Sequence, residues 1–280
     1  MLRLASLRNH CLPLALLLLL QGCSRAPDAT LAPAAFDYAG KPSTSTCKAP
    51  APPEAEREAR TASGVHYLVR APSNYRADVA HPLLVVYAPA GHGAPANERF
   101  TRFTQLATAR GWLVAYVGAK PMALPVMKAM AEVPSAVQGQ WCVDSARIFA
   151  TGHSDGGTVS TALAVLPDLP HPFAAIAPSA AGFRGEDLQA YPCPATTPVL
   201  ILHNHDDAHF PGYGRESAHW WATCNGCSGP AQPTADGCEE FTGCAAGGAV
   251  RYCEPPGDHA RWPERQREII DFLAAHPRQP

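Results

Sequence analysis

Gly152-His153-Ser154-Asp155-Gly156, extended by Gly157, matches the pattern G-x-S-x-G. A serine in that setting sits on a sharp turn between a strand and a helix, where bulky side chains at the glycine positions would clash. Its hydroxyl is thereby lifted out of the sheet, and the N–H of the next residue, Asp155, points at the oxyanion that develops on a carbonyl under attack. The flanks suit such an elbow, because residues 147–151 (RIFAT) read as a strand and residues 158–166 (TVSTALAVL) as a helix. A serine hydroxyl is a weak nucleophile at neutral pH. It needs a histidine base, and that base needs a carboxylate to fix its tautomer.

In the fold that uses this elbow the chain order is serine, acid, histidine. The apolar run 199–202 is followed by His203-Asn204-His205-Asp206-Asp207, which places two neighbouring acids at a strand end. Adjacent side chains on an extended segment point to opposite sides, so one of Asp206 and Asp207 can face the base. The base is expected shortly before the last helix, where His259 follows Pro255-Pro256-Gly257-Asp258. His276 lies beyond that helix and His219 within a helical stretch, and both read as surface residues. A second oxyanion donor should come from the loop after the run 82–87, which reads Ala88-Pro89-Ala90-Gly91-His92-Gly93. Proline has no N–H, so Ala90 is the expected donor, with Gly91 next. His92 either lines the site or is simply an exposed loop residue.

These residues need a scaffold, and the chain alternates short apolar runs with helical stretches. Strands are expected over 65–69, 82–87, 112–117, 147–151, 173–177, 199–202 and 250–253, and helices over 98–110, 123–137, 158–166, 214–223 and 263–275. Near-continuous apolar runs such as Pro82-Leu83-Leu84-Val85-Val86-Tyr87 are those of strands buried on both faces. The alternation implies an α/β class, with a mainly parallel central sheet covered by helices on both faces. The stretch between the 173–177 and 199–202 strands is short, which leaves no room for a large cap domain and implies an open site.

The 280 residues are 46% hydrophobic and 16% charged, with a net charge of −2. That balance holds no basic patch for nucleic acid. Arg3 and Arg8 precede an apolar run over 12–20, too short to span a bilayer comfortably, which reads as a signal h-region. The run ends in Leu20-Gln21-Gly22-Cys23, a lipoprotein-type cleavage box in which Cys23 is lipidated and becomes the new N-terminus. The expected organisation is therefore a signal peptide over 1–22, a tether rich in Pro, Ala, Ser and Thr over 23–63, and a catalytic domain over 64–280. Export to a bacterial cell envelope suits the remaining cysteines, Cys47, Cys142, Cys193, Cys224, Cys227, Cys238, Cys244 and Cys253, an even set that can pair as disulfides. A zinc ribbon on Cys224-x-x-Cys227 with Cys238 and Cys244 is the alternative use of four of them. A separate zinc reading attaches to His203-x-His205-x-Asp207-x-His209, which approaches a metallohydrolase signature but has Ala208 where a histidine is wanted.

The core from about residue 64 to 275 resembles secreted esterases of the poly(3-hydroxybutyrate) depolymerase and feruloyl esterase type, within the α/β-hydrolase superfamily. The residues that carry the resemblance are 82–87 (PLLVVY), Trp141-Cys142-Val143-Asp144 with Arg147-Ile148-Phe149, the Gly152–Gly157 elbow, 198–203 (PVLILH) and Gly257-Asp258-His259-Ala260-Arg261-Trp262-Pro263. The resemblance implies that the acid lies four residues after the histidine ending the strand, which selects Asp207, and that the base is His259 ahead of Trp262-Pro263. Ala88-Pro89 stands where that type commonly has His-Gly. The chemistry so implied is hydrolysis of small-molecule or oligomeric esters through an acyl-enzyme, with no metal or organic cofactor. The other classes to be weighed are a non-catalytic envelope lipoprotein on the same fold and the zinc hydrolase on the 203–209 cluster. The end of the chain just after the last helix is expected to leave no module for gripping solid polymer.

The anchor has its own test. Mass spectrometry of the mature protein should find a diacylated Cys23 at its N-terminus, and Cys23→Ser should leave the chain unprocessed or released from detergent. A mature N-terminus elsewhere contradicts the lipoprotein reading.

Overall fold

A computed structural model describes residues 56–278, all within one compact unit. Residues 1–22 and Cys23, on which the signal and anchor expectations rest, lie outside the described residues, as does Cys47. The central sheet has the order β1-β2-β4-β3-β5-β6-β7-β10-β9-β8. Its core strands are β3 (His81–Tyr87), β4 (Leu113–Val117), β5 (Val143–His153), β6 (Ala175–Ser179), β7 (Val199–Leu202) and β10 (Val250–Cys253). Each of these pairs in parallel with its neighbours in that set. One flank is extended by β2 (His66–Arg70) and β1 (Glu56–Arg60), the other by β9 (Cys238–Phe241) and β8 (Ala231–Pro233), all antiparallel.

Strand period 2 divides the sheet's side chains between two cores. Leu83, Val85 and Tyr87 point to the face covered by α3 (Leu124–Met130), α4 (Glu132–Gln138), α5 (Asp155–Val165) and α7 (Tyr213–Cys224). Leu84 and Val86 point to the face covered by α1 (Ala94–Thr101), α2 (Thr104–Ala109) and α8 (Gln266–Ala275). Between β6 and β7 the chain forms only the short α6 (Gly185–Gln189), so no cap domain is inserted there.

Several elements depart from expectation. The sheet starts before residue 64: β1 lies inside the stretch read as tether. Its sequence, EREAR, is largely exposed, so as an edge strand it shows no apolar pattern. The helix expected over 98–110 is two helices. Arg102 is left-handed at φ 56° and closes α1 by donating to the Glu98 carbonyl, which turns Phe103 into the core against Trp262. The helix expected over 123–137 is also divided. Pro134 lacks an N–H, and its ring excludes the carbonyl four residues back; that carbonyl, of Met130, accepts from the Tyr87 hydroxyl at 3.3 Å instead. The last helix begins at Gln266 rather than 263. No strand is expected over the β8–β9 hairpin, since Gln232, Glu239 and Glu240 interrupt any apolar alternation.

Disulfides join Cys193 to Cys224, Cys227 to Cys244 and Cys238 to Cys253, and Cys142 is disulfide-bonded too. The four cysteines considered for a zinc ribbon are thus each committed to a disulfide. Cys238 and Cys253 face each other across β9 and β10, which ties the hairpin to the strand that leads into the His259 loop.

Helix α5 lies unusually close to the sheet. A Cβ added to Gly156 would come within 2.0 Å of the Tyr87 carbonyl oxygen, and one on Gly157 within 2.3 Å of that of Ser179. Backbone cannot yield as a flexible side chain can. Gly156→Ala is expected to cost about 2–3 kcal/mol and to lower the thermal midpoint by roughly 5–10 °C. Gly139→Ala, where φ is −68° and the added Cβ makes only ordinary contacts, should change it little. Equal midpoints for the two variants would contradict this packing.

Candidate active site

The parallel strands deliver their C-terminal ends to one edge of the sheet, and the candidate residues gather there. Ser154 occupies the turn from β5 into α5 with φ 55° and ψ −118°, a conformation that L-residues rarely adopt and that costs of order 1–3 kcal/mol. Its N–H donates to the Ser179 carbonyl at 3.0 Å, which helps hold the strained turn against the end of β6. Its Oγ is 2.8 Å from Nε2 of His259.

His259 lies in the loop between β10 and α8. Its Nδ1 is 2.7 Å from Oδ2 of Asp207. A carboxylate only accepts, so Nδ1 carries the proton and Nε2 is left to accept from Ser154. Asp207 is buried, in the loop after β7. Its Oδ1 accepts the N–H groups of His209 at 2.9 Å and Phe210 at 3.0 Å. Burial pushes the Asp207 carboxyl up, but the hydrogen bonds from His259 and the Phe210 N–H outweigh it, and its pKa is held below the ordinary value. The side chain is therefore a carboxylate at neutral pH, able to stabilise an imidazolium on His259. The ring of Phe210 stands perpendicular to that of His259 at 5.0 Å, and the His209 ring lies tilted beside it at 4.7 Å.

The other candidates are placed as follows. Asp206 is exposed and contributes its backbone, the N–H donating to the Gly257 carbonyl at 2.9 Å. Asp155 is the first residue of α5, where an N–H has no intrahelical acceptor. Ala90 is exposed in the turn after β3, closed by His92 N–H to the Pro89 carbonyl at 3.2 Å. Because Tyr87 and Gly152 are register partners on neighbouring parallel strands, the turns carrying Ala90 and Ser154 leave the sheet side by side. The side chains of the 203–209 cluster diverge. His203 is buried with Nε2 3.5 Å from Asp207, His205 is exposed, and His209 turns toward His259. Among the described residues no group of three or more His, Cys, Asp or Glu side chains is arranged to hold a metal ion. His219 is on α7 and His276 caps α8, both away from the strand ends.

Sequence reading passed over three buried polar residues that stand directly behind this chain of hydrogen bonds: His153, Ser179 and Asn204. His153 occupies a variable position of the G-x-S-x-G pattern and Asn204 lies between two histidines, so residue type and spacing assign neither a role. The one available signal was their position, each being at or just past the end of a core strand.

No protein-family model matches the chain. It is 28% identical over 220 residues to feruloyl esterase B of Piromyces equi, a match covering 66% of this chain and 40% of that protein. The chain thus spans about two fifths of the length of this curated relative. An acetyl xylan esterase from Aspergillus awamori superposes with a TM-score of 0.61 at 13% identity, covering 79% of this chain and 99% of the other. A thermostable esterase gives 0.55 at 19% identity over 80% and 63% of the two chains. An S-formylglutathione hydrolase from Staphylococcus aureus gives 0.55 at 14% identity over 78% and 97%. What is shared at these identities is the fold: the chain has the α/β-hydrolase fold.

The two neighbouring acids can be separated by experiment. Asp207→Asn keeps the shape but favours the wrong imidazole tautomer, and ester hydrolysis should fall by roughly a thousandfold or more in kcat. Asp206→Asn should remain close to wild type. The reverse result would move the acid by one residue, and no loss in either would place it elsewhere.

Proposed function

We propose that this chain is a serine hydrolase that cleaves carboxylic esters through an acyl-enzyme. The observation that carries the reading is the unbroken chain from Ser154 Oγ to His259 Nε2 at 2.8 Å and from His259 Nδ1 to Asp207 Oδ2 at 2.7 Å. In this reading Ser154 attacks the ester carbonyl while His259 takes the hydroxyl proton, and Asp207 stabilises the resulting imidazolium. The backbone N–H groups of Asp155 and Ala90 hold the tetrahedral oxyanion. Collapse of the intermediate passes the proton from His259 to the leaving alcohol. Water, deprotonated by the same imidazole, then releases the acid.

The substrate classes proposed are small or oligomeric esters, including hydroxyalkanoate oligomers and feruloyl or other acyl esters. Similarity to a feruloyl esterase supports this, and so does the short β6–β7 connection, which leaves the strand ends uncapped. A groove of about 910 Å³ flanks the His259 loop, lined in part by Phe100, Ala260, Arg261 and Trp262. Export to the cell envelope and lipid anchoring at Cys23 belong to the same proposal, supported by the cleavage box in the sequence and by the paired cysteines.

Hydrolysis of short p-nitrophenyl esters provides the test. Ser154→Ala should lose at least roughly a thousandfold in kcat with an unchanged circular dichroism spectrum, and a fluorophosphonate probe should label the wild type at Ser154 alone. Activity should survive a chelator. Undiminished activity in the variant sinks the serine mechanism, loss in chelator favours a zinc hydrolase, and a folded but inactive wild type favours a non-catalytic role.

A further inference from the structure

The base comes from a loop. Residues 254–265 contain no helix or strand, and exposed loops are the more mobile parts of a fold. A nucleophile and base that drift apart by about 1 Å can lose on the order of a hundredfold in rate. Something must therefore hold the His259 backbone against the sheet.

Two buried side chains do so. His153 Nε2 is 2.7 Å from the carbonyl oxygen of His259, and His153 Nδ1 is 2.9 Å from the hydroxyl of Ser179. A carbonyl has no proton to give, so Nε2 is the donor, and Nδ1 is left to accept from Ser179. Ser179 also accepts the Ser154 N–H through its own carbonyl at 3.0 Å. On the other flank, Asn204 Nδ2 donates to the carbonyls of Asp258 and Arg261, both at 2.8 Å. His153 is 2%, Ser179 1% and Asn204 2% exposed, so these bonds do not compete with water.

We propose that His153 is a positioning residue for the base: through Ser179 it refers the backbones of nucleophile and base to one point at the end of β6, and thereby sets the Ser154–His259 separation. Asn204 attaches the loop on either side of His259, at the Asp258 and Arg261 carbonyls, and backbone bonds from His205 and Asp206 hold its start at Pro255 and Gly257. The assignment rests on the serine-hydrolase reading. Burial pushes the His153 imidazole down to about 4, so it stays neutral near pH 7. A neutral ring suits the place, since its centroid is 5.5 Å from that of His259, which becomes a cation during the reaction. A merely structural role would have His153 satisfy a loop carbonyl and nothing more.

His153→Phe keeps an aromatic ring against Phe100 and Trp262 but has no donor, whereas His153→Gln retains an amide N–H for the His259 carbonyl. On a p-nitrophenyl ester, well below the unfolding range, His153→Phe should lose roughly 10–100-fold in kcat with KM within about twofold of wild type. His153→Gln should recover most of that loss, and Ser179→Ala should lose several-fold in kcat alone. An activity-independent readout is the far-downfield proton between His259 Nδ1 and Asp207, followed by NMR in a Ser154→Ala background. It should be sharp with His153 present and broadened or absent with His153→Phe. The proposal is overturned if His153→Phe keeps wild-type kcat and the sharp proton, or if His153→Gln falls as far as His153→Phe with both tracking a loss of thermal midpoint. Should His153→Phe fail to fold, Ser179→Ala and His153→Gln carry the comparison, and wild-type kcat in Ser179→Ala overturns the link to β6. If Ser154→Ala keeps full activity, the hydrolase reading falls, while the NMR comparison still decides whether His153 holds His259.

Discussion

The backbone of the β5–α5 turn comes into direct contact with the ends of β3 and β6, and the rest of the site is arranged around that approach. At Gly156 and Gly157 there is no space for even one more carbon beside the carbonyls of Tyr87 and Ser179. This closeness lets the Ser154 N–H reach the Ser179 carbonyl and holds the serine at a positive φ that the isolated chain would avoid. The strain is borne by a two-sided core in which β3 and β4 are buried along their whole length. A surface turn without that support would relax to an ordinary conformation and withdraw the hydroxyl.

The acid and the base reach the serine by a different route, through loops rather than through a forced turn. The loop after β7 and the loop after β10 follow adjacent parallel strands, and they pair with each other beyond the sheet. His205 N–H donates to the Pro255 carbonyl and Asp206 N–H to that of Gly257, both at 2.9 Å. Asp206 therefore contributes to the site with its backbone, and its neighbour Asp207 with its side chain. Upstream, the disulfide between Cys238 and Cys253 joins β10 to β9 at the residue from which the His259 loop departs. The staple acts where the chain leaves regular structure.

Electrostatics follows from which groups are buried with partners. Asp207 keeps its charge because it accepts bonds on both oxygens. His153 and His203 are buried nearby, and burial lowers the pKa of each. At neutral pH the buried groups around His259 thus include the Asp207 carboxylate and the two neutral imidazoles of His153 and His203, which favours the proton moving onto His259. The same burial that packs the core also sets the protonation pattern that the proposed mechanism uses.

Much of this was readable from the residues alone. Glycine motifs and apolar runs are local properties of the chain, so the elbow at Ser154, the parallel core strands and the loop position of His259 follow from residue type and spacing. Local patterns also misled where the physics was not local. Arg102 takes a left-handed conformation so that Phe103 can turn into the core, and the Met130 carbonyl is taken by the Tyr87 hydroxyl; no window of sequence displays either partner. The β1 strand and the β8–β9 hairpin lie at exposed sheet edges, where burial imposes no apolar alternation. The seating of the base was hidden most completely, because His153 and His259 are 106 residues apart. The sequence determined which side chains are candidates for the chemistry and which turns present them, since those depend on residue type and immediate neighbours. Residue type alone left Asp206 and Asp207 open and only the resemblance selected Asp207; the tertiary structure turns that side chain to the histidine and decides what holds the histidine in place, because both depend on directions and distances that arise when separate strand ends meet.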